Sequence, residues 1–204
     1  TCPTQDVQAL PAYTLDKTLV INNMTTLQGM DIEGNADIVV KSGGRLTILD
    51  CILDLSSQNR ERVSVTVEAG GQLEINDTTI TSYYSNLMFL SYGQISLRHC
   101  AISALFGDPY SADGGFVAKA GNMAIKDSGL MNTDGNAFVS ENSTVTIDNC
   151  TFQNIGGACV MAEDSTGSIN DCVMSSVQIG IELTRCSALD IENVSISSPA
   201  LDGI

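Results

Sequence analysis

Basic residues are scarce: nine lysines and arginines stand against 24 aspartates and glutamates, for a formal charge of -15. Nucleic acid and anionic membrane surfaces are bound by clustered Lys and Arg. The few present here are scattered along the chain, so neither is the expected partner. No apolar run approaches the roughly 20 residues of a membrane-spanning helix, and no signal peptide is recognisable. Tryptophan is absent, which counts against sugar stacking, although tyrosine can substitute. There is one histidine, His99. Strong helix formers are thin, while Ser, Thr, Asn, Asp, Gly and β-branched residues dominate, a composition of strands and turns. Seven cysteines fit a secreted chain, but the odd count leaves at least one unpaired. The expected location is therefore extracellular or the cell surface. The chain opens on Thr1 rather than methionine, as a processed or excised chain would.

What the chain does have is a repeat. An eight-residue template reads apolar, any, apolar, any, Asn or Asp, small, any, apolar. It recurs as LTILDCIL (46–53), LEINDTTI (73–80), ISLRHCAI (95–102), MAIKDSGL (123–130), VTIDNCTF (145–152), GSINDCVM (167–174) and LDIENVSI (189–196). A weaker first copy is LVINNMTT (19–26). The fifth position is Asn23, Asp50, Asp77, His99, Asp127, Asn149, Asp171 or Asn193, at spacings of 22 to 28 residues. Alternating apolar residues make a short strand with one buried face. Parity then breaks at the fifth position, yet both sides stay apolar-in, which requires a tight bend there. Asn, Asp and His are the non-glycine residues most enriched in the left-handed backbone region that such a bend needs. His99 therefore reads as a bend residue rather than a general base.

Each repeat also opens on another strand, such as VSVTV (63–67), NAFVS (136–140) or IGIEL (179–183). Short strands in turns of about 22–28 residues, with no helical period, predict an all-β solenoid. Specifically they predict a right-handed parallel β-helix of about eight coils, each rising about 4.8 Å. Residues 1–16 are expected to be an N-terminal cap or extended segment and 17–204 the solenoid. LDGI (201–204) reads like the start of a ninth coil, to be continued by the chain or met by another subunit.

These repeats resemble the pectin-lyase-like superfamily of parallel β-helices over residues 17–204. IDNCTFQNIGGA (147–158) is also similar to the repeats of chlamydial polymorphic outer-membrane proteins, with Phe152–Asn154 and Gly156–Ala158 as the matching signatures. The first resemblance implies enzymes acting on acidic polysaccharides, whose motifs can be sought directly. Arg45, Arg98 and Arg185 occupy different template positions, so no arginine base sits among clustered carboxylates. No Gly-His-Gly tripeptide accompanies paired aspartates. The nearest string to Asp-Pro-His-Glu is Asp108-Pro109-Tyr110-Ser111, which lacks both proton-moving residues. No catalytic residue, metal ligand set or cofactor is assigned.

Cys51, Cys100, Cys150 and Cys172 all follow a bend residue, where a small inward side chain is required. Cys150 and Cys172 fall on adjacent coils and form a candidate disulfide, against which their nearly parallel Cβ vectors count. Cys2 is placed to tie down the N-terminal cap. Five sequons make Asn23, Asn76, Asn142, Asn149 and Asn193 candidate glycosylation sites. Extra segments at 27–37, 54–62 and 103–114 are expected to gather on one flank, together with 81–86. That flank would present Arg60, Arg62, Tyr83, Tyr84, Asp108, Tyr110 and Asp113 for binding.

The expectation is an extracellular structural or adhesive β-helix: a stalk, surface passenger or filament subunit, glycosylated and non-catalytic. End-to-end coil stacking and cell-surface glycans are its expected partners. The alternative is a polysaccharide-active lyase or hydrolase, or a carbohydrate-binding module, working from the loop flank.

Overall fold

The computed structural model describes residues 10–57, 62–107, 113–201 and 203. Among them every regular element is a strand, and every strand pairing is parallel. The chain winds as a parallel β-solenoid of eight coils with three faces. The first face is an eight-stranded sheet running from Met24–Gln28 through Arg45–Leu49, Gln72–Asn76, Gln94–Arg98, Asn122–Lys126, Thr144–Asp148 and Thr166–Asn170 to Ala188–Glu192. The second starts at Ala12–Leu15, Asp31–Gly34 and Ile52–Leu55, and the third at Leu19–Ile21, Ile38–Val40 and Val63–Val67. Thr151–Glu163 and Val173–Thr184 run unbroken round the corner between these two, joining them into one 15-stranded sheet. Among the described residues, stacking begins at Ala12, which pairs with Asp31. Ala12–Leu15, within the segment expected as a cap or extended segment, is a strand of the solenoid.

Alternation explains the core. On the first face Ile48, Ile75, Leu97, Ile125, Ile147 and Ile169 occupy one inward slot on successive coils, and all are fully buried. On the third face Phe89, Phe116 and Phe138 do the same. The rings of Phe89 and Phe116 lie 4.8 Å apart at 22°, a stacked pair. Identical slots in register put like on like, so each coil completes its neighbour's core.

The bend prediction holds for seven of its eight positions. Asp50, Asp77, His99, Asp127, Asn149, Asp171 and Asn193 all have φ near +50°. Asn23 does not. Met24 pairs with Arg45 and Gln28 with Leu49, so the residue in register with Asp50 is Gly29, at φ 61°. The first copy of the template was misaligned because it favoured an asparagine over a glycine, the residue that meets least steric cost there. The same shift corrects the segment 27–37, which holds the strand Asp31–Gly34 rather than a loop.

A second corner, at Ala104, Asn132, Asn154, Ser176 and Ser198, and a third, at Gly43, Gly70, Ala120, Asn142, Asp164 and Arg185, also take positive φ. The residue after the bend does more than fill space. Thr78, Ser128, Ser143 and Ser165 each donate their hydroxyl to the carbonyl two residues back. The same hydroxyls accept backbone N–H bonds from the preceding coil, at Cys51, Cys100, Gly121 and Ser143 respectively. Cysteine at this slot donates likewise: Cys150 Sγ lies 3.2 Å from the Asp148 carbonyl and Cys172 Sγ 3.1 Å from that of Asn170. A donor fills this first-corner slot on six of the eight coils, Met30 and Val194 at the two ends being the exceptions.

Along the outer edge of the first corner, from Asp77 onward, acidic side chains alternate with His99 and asparagines. His99 stands between Asp77 and Asp127, at 3.4 and 3.6 Å. The Asn149 amide donates to Asp127 at 2.9 Å and the Asn193 amide to Asp171 at 3.1 Å. The Asn149 amide, with Arg98, holds the Asp127 carboxyl below the ordinary carboxylate range, and Arg185 does the same for Asp164. An Asp whose folded pKa is depressed stabilises the fold above its unfolded value of about 4. That contribution is lost as pH falls through the depressed folded value. Melting temperature should therefore be level from about pH 7 to 5 and fall below about pH 4. Asn149→Ala should flatten the acid limb; an unchanged slope in a pH series of thermal melts would refute this role for the amide.

Candidate functional site

The loop flank exists, and one buried amide builds it. Asn86 donates its Nδ2 to the Ser57 carbonyl at 2.9 Å, while its Oδ1 accepts from Ser57 N at 3.3 Å and Ser82 Oγ at 3.1 Å. Ser82 Oγ in turn accepts the Asn86 backbone N–H. This ties the loop after Ile52–Leu55 to the turn at Ser82–Asn86, where Ser85 takes φ 52°. The sequence showed a polar string, SYYSN (82–86), without marking which residue was buried. A half-kept alternation, with Asn86 immediately before the apolar strand Leu87–Ser91, was the available signal.

Two clusters of the expected binding residues form on this flank. Tyr83 and Tyr84 meet edge to face, ring centroids 4.8 Å apart, and both are exposed. Arg62 pairs with Asp113 at 2.7 Å and lays its guanidinium 4.1 Å from the centre of the Phe106 ring. Arg60, Asp108 and Tyr110 lie outside the described residues, as does Cys2. Phe106, which sequence reading passed over, is what fixes the Arg62 side chain.

Tyr84 also walls a groove of about 580 Å³ where the flank meets the second face. Its other lining residues include Thr14, Asp16, Glu33, Asn35, Asp54 and Ser56. Thr14 pairs with Glu33 and Glu33 with Asp54, so these outward side chains stack one per coil, about 4.8 Å apart. Gly34 sits at the base, where a Cβ would lie 2.1 Å from the Leu15 carbonyl oxygen. A second, smaller groove of about 450 Å³ runs over the first face, and its two charged groups, Arg45 and Glu74, are paired with each other at 2.8 Å.

The remaining chemistry is accounted for by packing. His99 is half exposed in its bend slot and borders neither groove. No group of three or more His, Cys, Asp and Glu side chains is placed to hold a metal ion among the described residues. The described cysteines are free thiols. Cys150 and Cys172, the candidate disulfide, are free thiols on adjacent coils, each directed at the carbonyl two residues back. The neighbouring Cys172 sulfur, together with burial, pushes the Cys150 thiol up. Burial raises Cys100 and pushes Cys159 up to about 12, so neither is a ready nucleophile.

Of the sequons, Asn23, Asn142, Asn149 and Asn193 are exposed. Asn76 is half-buried, and its sequon hydroxyl, on Thr78, is buried and bonded to the Asn76 carbonyl at 2.8 Å. That tripeptide is a strand-and-bend motif first.

Residues 135–204 match the family model for a right-handed β-helix region. Among solved structures the chain is similar to a protein from Parabacteroides merdae, provisionally described as a glycosyl hydrolase. They share 11% identity, over 81% of this chain and 85% of that one, with a TM-score of 0.45. No curated protein matches the sequence.

Proposed function

For a right-handed parallel β-helix of this build, we propose an extracellular structural or adhesive role, as a rigid rod that presents its loop flank and carries no catalysis of its own. The supporting observation is where the charged side chains go. Lys41–Glu68, Arg45–Glu74, Arg98–Asp127, Lys126–Asp148 and Arg185 with Glu163 and Asp164 are all ion pairs between neighbouring coils. They act as struts along the rod. An acidic-polysaccharide enzyme needs cations free to meet its substrate and a residue poised to move a proton. Exposed asparagines at Asn23, Asn142, Asn149 and Asn193 suit a glycosylated surface protein. Coil-on-coil stacking is the self-association such a rod offers, because the same register pairs any two like edges.

The second reading, a polysaccharide-active enzyme or carbohydrate-binding module, is favoured by one feature: Tyr83 and Tyr84 exposed beside the groove on the loop flank. One experiment separates the two. The purified chain is held with immobilised pectate, alginate and neutral glucans, and both retention and released products are measured. The rod reading expects neither retention nor new reducing ends or unsaturated sugars; retention alone would favour the binding module, and product release above a heat-denatured control would sink the rod reading.

A further inference from the structure

The third corner is uneven, and the unevenness leaves a recess. Val67, Ser91 and Ala118 are in register on the third face, and Gln72, Gln94 and Asn122 are in register on the first. Between these fixed points the chain takes four residues at 68–71, two at 92–93 and three at 119–121. The middle coil therefore cuts the corner, and a recess of about 220 Å³ opens where it falls short of its neighbours. Gly70, Gly93, Ala120 and Gly121 line it with almost no side chain. Tyr92 stands at its wall, 42% exposed, and no charged group lines it. Gln94 and Asn122 border it with exposed amides that have no hydrogen-bond partner among the described residues.

One coil further on lies the sequon Asn142-Ser143-Thr144. Asn142 follows Ala120 on this corner: the Ala120 N–H meets the Glu141 carbonyl at 3.0 Å, and Asn122 pairs with Thr144. The Asn142 side chain is exposed and has no partner among the described residues. Asn149 and Asn193, by contrast, commit their amide nitrogens to Asp127 and Asp171. That nitrogen is where an N-glycosidic bond is made. On the far side of Asn142 stand Asp164 and Arg185, paired with each other at 2.7 Å. A sugar on Asn142 thus has a charged strut to one side and the uncharged recess to the other, with Tyr92 two coils away, about 10 Å.

We propose that Asn142 carries an N-linked glycan whose first sugar turns back into this recess, its ring against Tyr92 and its polar groups met by Gln94 and Asn122. An aromatic face suits sugar C–H surfaces, and amides both donate to and accept from hydroxyls. The recess has the size of a single sugar ring. The donor is a lipid-linked glycosyl diphosphate of the host. The bond from Asn142 Nδ2 to the sugar C1 forms as the C1–O bond to the diphosphate breaks, and one amide proton passes to a base of the transferase. The inference rests on the reading of the chain as a glycosylated surface protein, and adds which sequon is used and what holds its sugar.

The test uses the intact chain produced in its own host. Peptide mass spectrometry reads the occupancy of each sequon, and sugar on Asn142 is expected. Thermal melts then follow a double-mutant cycle of Tyr92→Ala with Thr144→Val, which removes the sequon and leaves the bend at Asn142 untouched. In the glycosylated chain Tyr92→Ala should lower the melting temperature by about 2–4 °C, the loss of one aromatic contact in a chain of this size. In the Thr144→Val background the same change should cost less than about 1 °C. Thr144→Ser, which keeps the sequon, should behave as the parent. Sugar on Asn149 or Asn193 with none on Asn142 overturns the inference and leaves the glycoprotein reading standing; no sugar on any sequon overturns both. Sugar on Asn142 with equal shifts in the two backgrounds overturns the contact with Tyr92.

Discussion

Phe116→Ala is expected to remove about 3–5 kcal/mol of folding stability, the cost of emptying a fully buried phenylalanine site. Phe116 pairs in register with Phe89 on one side and Phe138 on the other, and all three are wholly buried. Its ring stacks on that of Phe89. In a compact domain the surroundings relax from all directions into a cavity. Here the neighbours above and below are held at the strand spacing by ladders of backbone bonds, so the void stays open. A solenoid's stability is close to a sum of coil and interface terms, and a lost interface in mid-rod weakens the coupling between its halves. Urea unfolding should therefore show a lower midpoint and a broader or split transition. Tyr83→Ala, on the exposed flank, should stay within about 0.5 kcal/mol of the parent. A loss below about 1 kcal/mol for Phe116→Ala would mean that the stack is not a principal support of the core.

That core was legible in the sequence because period-2 alternation and bend chemistry agree. Ile48 and Ile147 sit where alternation put them, and Asp50 and Asn149 bend where parity broke. The first bend was missed because two asparagines at 22–23 imitated the template while Gly29, the actual bend, carries no side chain to recognise. The corner at Ala120, Asn142, Asp164 and Arg185 was illegible for another reason: four different side chains share one backbone state. Only the donor that follows, in Ser143, Ser165 and Cys186, marks the last three. The groove could not be read at all. Thr14, Glu33 and Asp54 come from three coils and meet only through register, which spacing fixes once the first bend is placed correctly. The loop flank was legible only in part from length: extra residues marked the segments after Ile52–Leu55 and Ala101–Ser103, but they also marked 27–37, which holds a strand.

Gly167→Ala should be as damaging as the loss of Phe116, for a reason confined to the backbone. Gly167 takes φ 125°, and a Cβ added there would lie 1.8 Å from the carbonyl oxygen of Val145. It occupies an inward slot of the first face, in register between Val145 and Leu189, where the template otherwise calls for an apolar side chain. The sequence template counts GSINDCVM as one more copy. The coils approach so closely here that alanine must either rotate φ or push the Val145 strand away. Rotation restores an ordinary conformation but breaks the ladder; displacement opens the core. Strain of about 1–3 kcal/mol, with a comparable cost for each backbone bond left unmade, gives an expected loss of about 3–5 kcal/mol. Gly29 supplies the contrast. Its φ of 61° is left-handed too, but nothing lies within 4 Å of an added Cβ, and later coils carry Asp, Asn or His in register with it. Gly29→Asn should therefore change stability by less than about 1 kcal/mol. Urea midpoints of the two variants test whether crowding or backbone sign governs these glycines: similar losses at both positions would show that φ alone decides, and that the close approach to Val145 is relieved at little cost.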